Sequence, residues 1–507
     1  MITCQVKTSL KMFVTLFLVT LLMFLGFVYK YLTQYQGVVE GFGLPYIPRY
    51  GALGSPPFIF HQFNYHQWML DQCNKFGKTW ARYDGFRPTI VTTDPEFIKQ
   101  VTVKQFDCFM DSFGLDVDIP EAQMLLLARG ETWRALRKLL SPTFSTGKMK
   151  EMLEPICSMS ERTIDHLIEK INPSSTKVTS VDKLDMKPIV HGFVLDIISK
   201  CAFGMDTTAY KGEEDSFTKL VKSVLGSFVA NNWIGTLFFN CVSHFPVLAS
   251  YIPIWSESAL KLQKLTHDLI DERIKNNVEQ GDFIDRLKQF KSAKLEPPLT
   301  LDLMDVQSMI FFTAGYETTA TTIGHMIYLL AKNPTVQDQV YDEIINACET
   351  WDQINHDTIK NMPLLEASIM ETLRLLPPVG EHMRICTKDC QVAGIGIPKG
   401  TKIQMPILPG HLNDAFFPFP TLFKPERFLK QNANQIAPFT WRPFGSGNRV
   451  CIGQRFAVTA IMIFMAKFLT KFQIIDIPDT KLNYPNGDLF LFVFPKMEVK
   501  LEPRPKK

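Results

Sequence analysis

The chain has 507 residues, 46% of them apolar, with 54 Lys and Arg against 51 Asp and Glu. A formal charge of +3 on that length does not point to a nucleic-acid partner, and 40 Phe are enough for a large core. Ten cysteines lie scattered at positions 4, 73, 108, 157, 201, 241, 348, 386, 390 and 451 with no C-x-x-C pair, so neither a disulfide framework nor a zinc site is expected.

The amino end stands apart. Met12 to Tyr29 is uncharged and mostly apolar between Lys11 and Lys30. As a helix it would reach roughly 27 Å, close to a bilayer core of about 30 Å. A cleaved signal peptide is the competing reading, but its apolar region is shorter, about 7–15 residues, and no small-x-small cleavage site follows here. Residues 1–36 therefore read as a retained anchor. Lys7 and Lys11 balance Lys30 and Arg49, so charge leaves the orientation open. Residues 37–57, rich in Gly and Pro, read as a stiff spacer.

From residue 58 to 507 no polar linker divides the chain, which predicts one large, mainly helical domain with small sheets. Trp80 to Thr93 alternates around Asp84-Gly85 and predicts a hairpin. A second hairpin is expected across Cys390 to Ile407, with turns at Gly394-Ile395-Gly396 and Pro398-Lys399-Gly400. Residues 225–255 carry Leu225, Phe228, Val229, Trp233, Ile234, Leu237, Phe238 and Phe239. They read either as a core segment or as a second membrane contact.

A long helix is expected over residues 301–332, closed by Asn333-Pro334. Its centre, Ala314-Gly315-Tyr316-Glu317-Thr318-Thr319, suits a helix poorly. Gly and Thr lower the propensity, and Thr hydroxyls bond back to carbonyls one turn earlier. A kink at Gly315 would open space beside it. Further on, Glu371 and Arg374 share one helical face, and Leu375-Leu376-Pro377-Pro378 ends that helix. Near the carboxyl end, Phe444-Gly445-Ser446-Gly447-Asn448-Arg449-Val450-Cys451-Ile452-Gly453 sets one cysteine in a glycine-rich turn. Glycines let the backbone approach a sulfur closely, and a thiolate there would need N–H donors and shelter from water.

This last stretch fits F-x-x-G-x-R-x-C-x-G and resembles the haem-binding loop of the cytochrome P-450 family. Ala314 to Thr319, Glu371 to Arg374, Phe423 to Phe428, and Trp133 to Arg137 with the Leu139–Met152 run agree with it. They look most like the family's animal family-3 branch. The resemblance covers nearly the whole chain, loosest at 1–60 and 205–260. It implies the P-450 fold, with Cys451 as thiolate ligand of haem b (iron protoporphyrin IX) and Phe444 beside it. Trp133, Arg137, Arg384 and Arg449 become haem-propionate partners. Glu371, Arg374 and Arg427 would form a buried charge network. Glu317 and Thr318 would deliver protons for splitting O2. Phe311, Thr313, Ala314, Val379 and the 110–125 loop become pocket walls.

The resemblance also implies a monooxygenase acting on an apolar small molecule, placed on the cytosolic face of the endoplasmic reticulum membrane. Electrons would come from NADPH through a separate cytochrome P-450 reductase, with cytochrome b5 as an optional second partner, because this chain carries no nucleotide-binding fingerprint. Arg134, Lys138, Lys148, Lys150 and Arg455 would form a docking face, or simply a solvated surface. Two other classes compete. A P-450-type isomerase or dehydratase acting on peroxides tends to lose the acid–alcohol pair that stands here at Glu317-Thr318. A non-enzymatic haem sensor would not consume NADPH.

Overall fold

The structure, a computed structural model, describes residues 2–51, 54–55, 64–112, 123–171, 181–212, 216–229, 257–280, 282–290, 301–348, 350–477 and 496–504. Residues 230–256, and with them most of the 225–255 segment, and residues 113–122 of the 110–125 loop lie outside that set. The second membrane contact and part of the pocket wall are therefore not described.

The architecture is mainly helical with small sheets. Strands β1 (Thr79–Asp84) and β2 (Arg87–Thr92) form the hairpin expected around Asp84-Gly85. The second hairpin is shorter than expected. β5 (Cys390–Val392) and β6 (Ile395–Ile397) pair across the first turn only. After Pro398-Lys399-Gly400 the chain leaves β6, and β7 (Lys402–Pro406) joins the first sheet instead, parallel to β2 and antiparallel to β4 (Glu381–Ile385). The reason is burial. Every residue of β7 after Lys402 is buried, and only a central strand of a covered sheet accepts that many buried side chains. The order is β1-β2-β7-β4, and a second sheet runs β3 (Val181–Asp185), β9 (Glu498–Pro503), β8 (Phe472–Ile475).

The amino-terminal helix spans Ile2–Thr33. Phe17, Leu22, Met23, Phe24 and Phe27 on it are exposed. Among the described residues no helix is long and apolar enough to cross a membrane, and the side chains of 1–12, 14 and 16 are outside the described set. The stretch expected as a spacer is held against the domain where it is described. Tyr46 bridges Ala81 in parallel, Gly54 bridges Asp84, and Ser55 N–H donates to Tyr83 O at 2.8 Å. β1 is an edge strand, and its unpaired backbone groups recruit these residues.

The central helix, Leu301–Lys332, runs through the largest apolar cluster, and two smaller clusters pack around the first sheet. The helical assignment is unbroken at Gly315. Its missing Cβ is used for packing rather than for a break, since a Cβ there would sit 3.2 Å from Ile198 Cδ1 on the buried helix Lys187–Phe203. The threonines are absorbed by back-bonding: Thr313 to Met309 O at 3.1 Å, Thr318 to Ala314 O at 2.7 Å and Thr322 to Thr318 O at 2.8 Å. Burial of the apolar faces outweighs the propensity cost of about 0.5–1 kcal/mol per unfavourable residue.

Candidate active site

The Cys451 loop is closed at its neck, where Cys451 N–H donates to Phe444 O at 2.8 Å. Gly445 and Gly447 take φ of +80° and +69°. At Gly447 a side chain would also strike Thr102 O, so glycine is required there twice over. Helix Gln454–Lys471 starts directly behind the loop. Cys451 is exposed although protein surrounds it, so it lines an internal space. Burial raises its thiol pKa. N–H groups of Gly453 and Gln454 and the charge of Arg137 act the other way and favour a thiolate.

Around the same space stand the arginines. Arg449 Cζ lies 4.5 Å from the centre of the Trp133 ring. Trp133 and Arg137 come from helix Gly130–Leu140, one turn apart, with Trp133 buried. Arg384 is on β4. Burial pushes the guanidinium of Arg384 down to about 10 and that of Arg449 down to about 9, the latter helped by Arg384 and Arg137. Among the described residues none of Arg137, Arg384 and Arg449 forms an ion pair. The Nε atoms of Arg384 and Arg449 are buried without a hydrogen-bond partner. Burying a guanidinium without an anion is costly, so this cluster is built for a ligand carrying carboxylates.

Glu371, Arg374 and Arg427 meet behind the loop. Arg374 Nε and Nη2 donate to the two oxygens of Glu371 at 2.7 and 2.8 Å. Arg427 Nε lies 3.4 Å from Glu371 Oε1, and Lys424 N–H donates to that oxygen at 2.8 Å. Arg374 further donates to His411 O, Pro420 O and Leu422 O. Every donor of the fork has an acceptor.

The central helix presents two faces. Phe312, Tyr316, Glu317 and Ala320 are buried, whereas Ala314 is exposed and Thr313 and Thr318 are half-buried. In the middle of a core helix an exposed alanine marks an inner cavity. Phe311 does not stand free in it: it stacks on Phe144 at 5.8 Å and meets Phe283 at 3.9 Å. Phe144 in turn reaches toward Gly453, tying the helix to the cysteine loop. Val379 is half-buried just before β4. Glu317 is buried against the Lys187–Phe203 helix.

The cytochrome P450 family model matches residues 47–503. The chain belongs to the cytochrome P450 family. It is 32% identical to cytochrome P450 3A9 of Rattus norvegicus over 479 residues, 90% of each chain. Cytochrome P450 3A13 of Mus musculus is 31% identical, again over 90% of each chain, and cytochrome P450 3A6 of Oryctolagus cuniculus is 32% identical over 88%. The protein is accordingly a P450 monooxygenase, an oxidoreductase whose family holds haem through a cysteine thiolate. The residues fit that group: a sheltered sulfur with N–H donors on one side, and arginines lacking anions where two propionates would lie.

Sequence reasoning missed several neighbours. Asp111 pairs with Arg129 at 3.0 Å, accepts from Gly130 N–H, and brings a negative charge to bear on Arg449. Ser112 accepts from Arg384 at 3.3 Å. Both are single residues without a motif, so only their placement reveals them.

Proposed function

We propose that this P450 is a membrane-anchored monooxygenase placing one atom of O2 into an apolar substrate, with electrons from NADPH through a separate reductase. Haem bound at Cys451 supplies the oxygen chemistry, and the thiolate's electron donation favours O–O cleavage. The observation that carries the reading is that the Cys451 sulfur feels the charge of Arg137, in a cluster where Arg137, Arg384 and Arg449 form no ion pair among the described residues. Trp133, Arg137, Arg384 and Arg449 hold the propionates by charge-assisted hydrogen bonds. Phe444 fixes the loop whose N–H donors shelter the sulfur. Thr318 keeps a hydroxyl on the cavity face, and Glu317 beside it supplies protons. Glu371, Arg374 and Arg427 brace the loop from behind. Ala314, Thr313, Phe311 and Val379 line the substrate space.

Residues 1–36 serve as the anchor and 58–507 as the catalytic domain, with 37–57 between them. The exposed Phe17, Leu22, Phe24 and Phe27 support insertion, because an apolar helix left in water forgoes about 25 cal/mol per Å². Placement on the cytosolic face of the endoplasmic reticulum membrane is the reading that the family resemblance implies. Lys138, Lys150 and Arg455 are exposed for a reductase, while Arg134 and Lys148 already pair with Asp107, Glu131 and Glu151.

Reduced, carbon-monoxide-treated protein should show the red-shifted Soret band of a thiolate-ligated haem, and Cys451→Ser should abolish it. An unchanged band in that variant refutes the assignment.

A further inference from the structure

Glu317 turns its carboxylate away from the cavity face that carries Ala314 and Thr318. It points to the buried helix Lys187–Phe203, where Oε1 lies 3.8 Å from Nε2 of His191, both side chains being more than nine-tenths buried. The other ring nitrogen of His191, Nδ1, is 3.1 Å from the hydroxyl of Tyr316, and the two rings meet edge to face at 5.1 Å. Tyr316 and Glu317 are neighbours on the central helix, so one imidazole touches two consecutive residues of it.

The imidazole is clamped. Gly315 lets Ile198, about two turns along from His191, approach the central helix. Next to His191, Gly192 allows the 209–211 turn to press against the helix from its other side. Asp196 holds that turn through Thr207 Oγ1 and the N–H groups of Ala209 and Tyr210. A side chain held between two packed helices in this way keeps one orientation.

Burial decides the charge. Desolvation, with Lys187 and Lys222 nearby, pushes His191 down to about 3. The ring is neutral at physiological pH and carries a single N–H. Burial and the charge of Glu317 push the Tyr316 phenol up, so it remains protonated and able to donate. When it donates to Nδ1, the ring proton sits on Nε2 and faces Glu317. Closing the contact to hydrogen-bond length takes about 1 Å of side-chain movement.

We propose that His191 is a positioning residue for Glu317, holding the ionised carboxylate on the far side of the central helix from the oxygen site and releasing it more readily once it is protonated. The preference follows from hydrogen-bond strength: an N–H bond to a carboxylate is roughly twice as strong as one to a neutral acid. Glu317 thus faces Thr318 mainly when it has a proton to give. The inference rests on the reading of Glu317 and Thr318 as the proton-delivery pair.

The test uses the full-length, haem-loaded protein and three variants. His191→Leu removes the ring donor, His191→Gln keeps an N–H, and Tyr316→Phe frees the ring. Haem content and the reduced carbon-monoxide Soret band report an intact fold. The infrared C–O stretch of the same complex reads the polar groups near the oxygen site without turnover. Peroxide released per NADPH consumed, with reductase, reads proton delivery. His191→Leu should load haem normally, shift or broaden the C–O stretch and raise the peroxide fraction several-fold. His191→Gln should stay near the parent, and Tyr316→Phe should fall between. A parental stretch and peroxide fraction in His191→Leu overturns the proposal. Equal damage from Leu and Gln also does, because it marks a packing role. If His191→Leu does not load haem, Tyr316→Phe decides, and parental values there are fatal. Failure of the underlying reading is separate: Glu317→Gln and Thr318→Ala would then themselves leave the peroxide fraction at the parental value.

Discussion

Two groups of buried arginines differ in whether the chain itself answers their charge. Arg374 is closed: Glu371 takes two of its N–H groups, and three backbone carbonyls take others. Arg384 and Arg449 are open. Among the described residues they have no ion pair, each has a buried Nε without an acceptor, and burial depresses both. A buried charge neutralised within the chain belongs to the scaffold. One left without a carboxylate beside a cavity suits an arriving anion, because a partner of opposite sign recovers the desolvation of a guanidinium.

The sharpest way to break the closed group is Glu371→Ala. It strands Arg374 with no carboxylate and should cost about 3–5 kcal/mol, giving protein without haem. A normal haem-to-protein ratio in the purified variant contradicts a scaffold role. The open group should respond in the opposite sense. In haem-free protein Arg384→Met should leave stability unchanged or raise it, by up to about 4 kcal/mol, since a buried charge without a carboxylate is exchanged for an apolar side chain of similar size. In loaded protein it should weaken haem binding by about 1.5–3 kcal/mol, roughly 10- to 100-fold. Thermal unfolding with and without haem separates the two. Destabilisation of the haem-free form by several kcal/mol would place Arg384 in the scaffold.

Acid tests the surroundings of both groups. His411 accepts from Arg442 N–H with Nε2 and donates from Nδ1 to Arg374 O. His382 donates from Nε2 to Arg442 O. Burial, then the charge of Arg442, pushes His411 far below its usual value and His382 to about 3. The unfolded chain therefore takes up protons first. The stability these neutral rings contribute is complete above about pH 6.5. It is lost as pH falls toward their folded values, by up to about 1.4 kcal/mol per pH unit for each ring. A thermal midpoint that stays flat from about pH 7 to about pH 5 would contradict this. The smallest stability effect belongs to the surface. Lys138→Glu and Arg455→Glu should alter stability by less than ~1 kcal/mol yet slow reduction by the reductase in a salt-dependent manner. Unchanged reduction rates at low salt would remove those residues from the docking face.

Legibility followed the locality of the signal. The cysteine loop could be read because its constraints are consecutive: a thiolate, N–H donors and glycines at fixed offsets. Glu371 and Arg374 could be read because three residues make one helical face. Arg384, Trp133 and Arg137 were reached through resemblance, since nothing in their local pattern distinguishes a propionate partner from a solvated charge. His191 carried no signal at all. A lone histidine in an apolar helix reads as core, and its contact with Glu317 crosses 126 positions of sequence. Asp111 and Ser112 were hidden for the same reason. The second hairpin was overextended because turn residues show where a chain reverses, not which strand it pairs with next.

By itself the sequence determined the mainly helical character, the cysteine loop and the family, because period, turn chemistry and motif spacing act over a few residues. Tertiary structure alone decided that Gly315 serves close packing, that β7 leaves its hairpin neighbour for β2 and β4, and that Glu317 faces His191. Those outcomes depend on which buried surfaces meet, and desolvation, which sets the cost of every charge among them, is a property of the assembled core rather than of any segment.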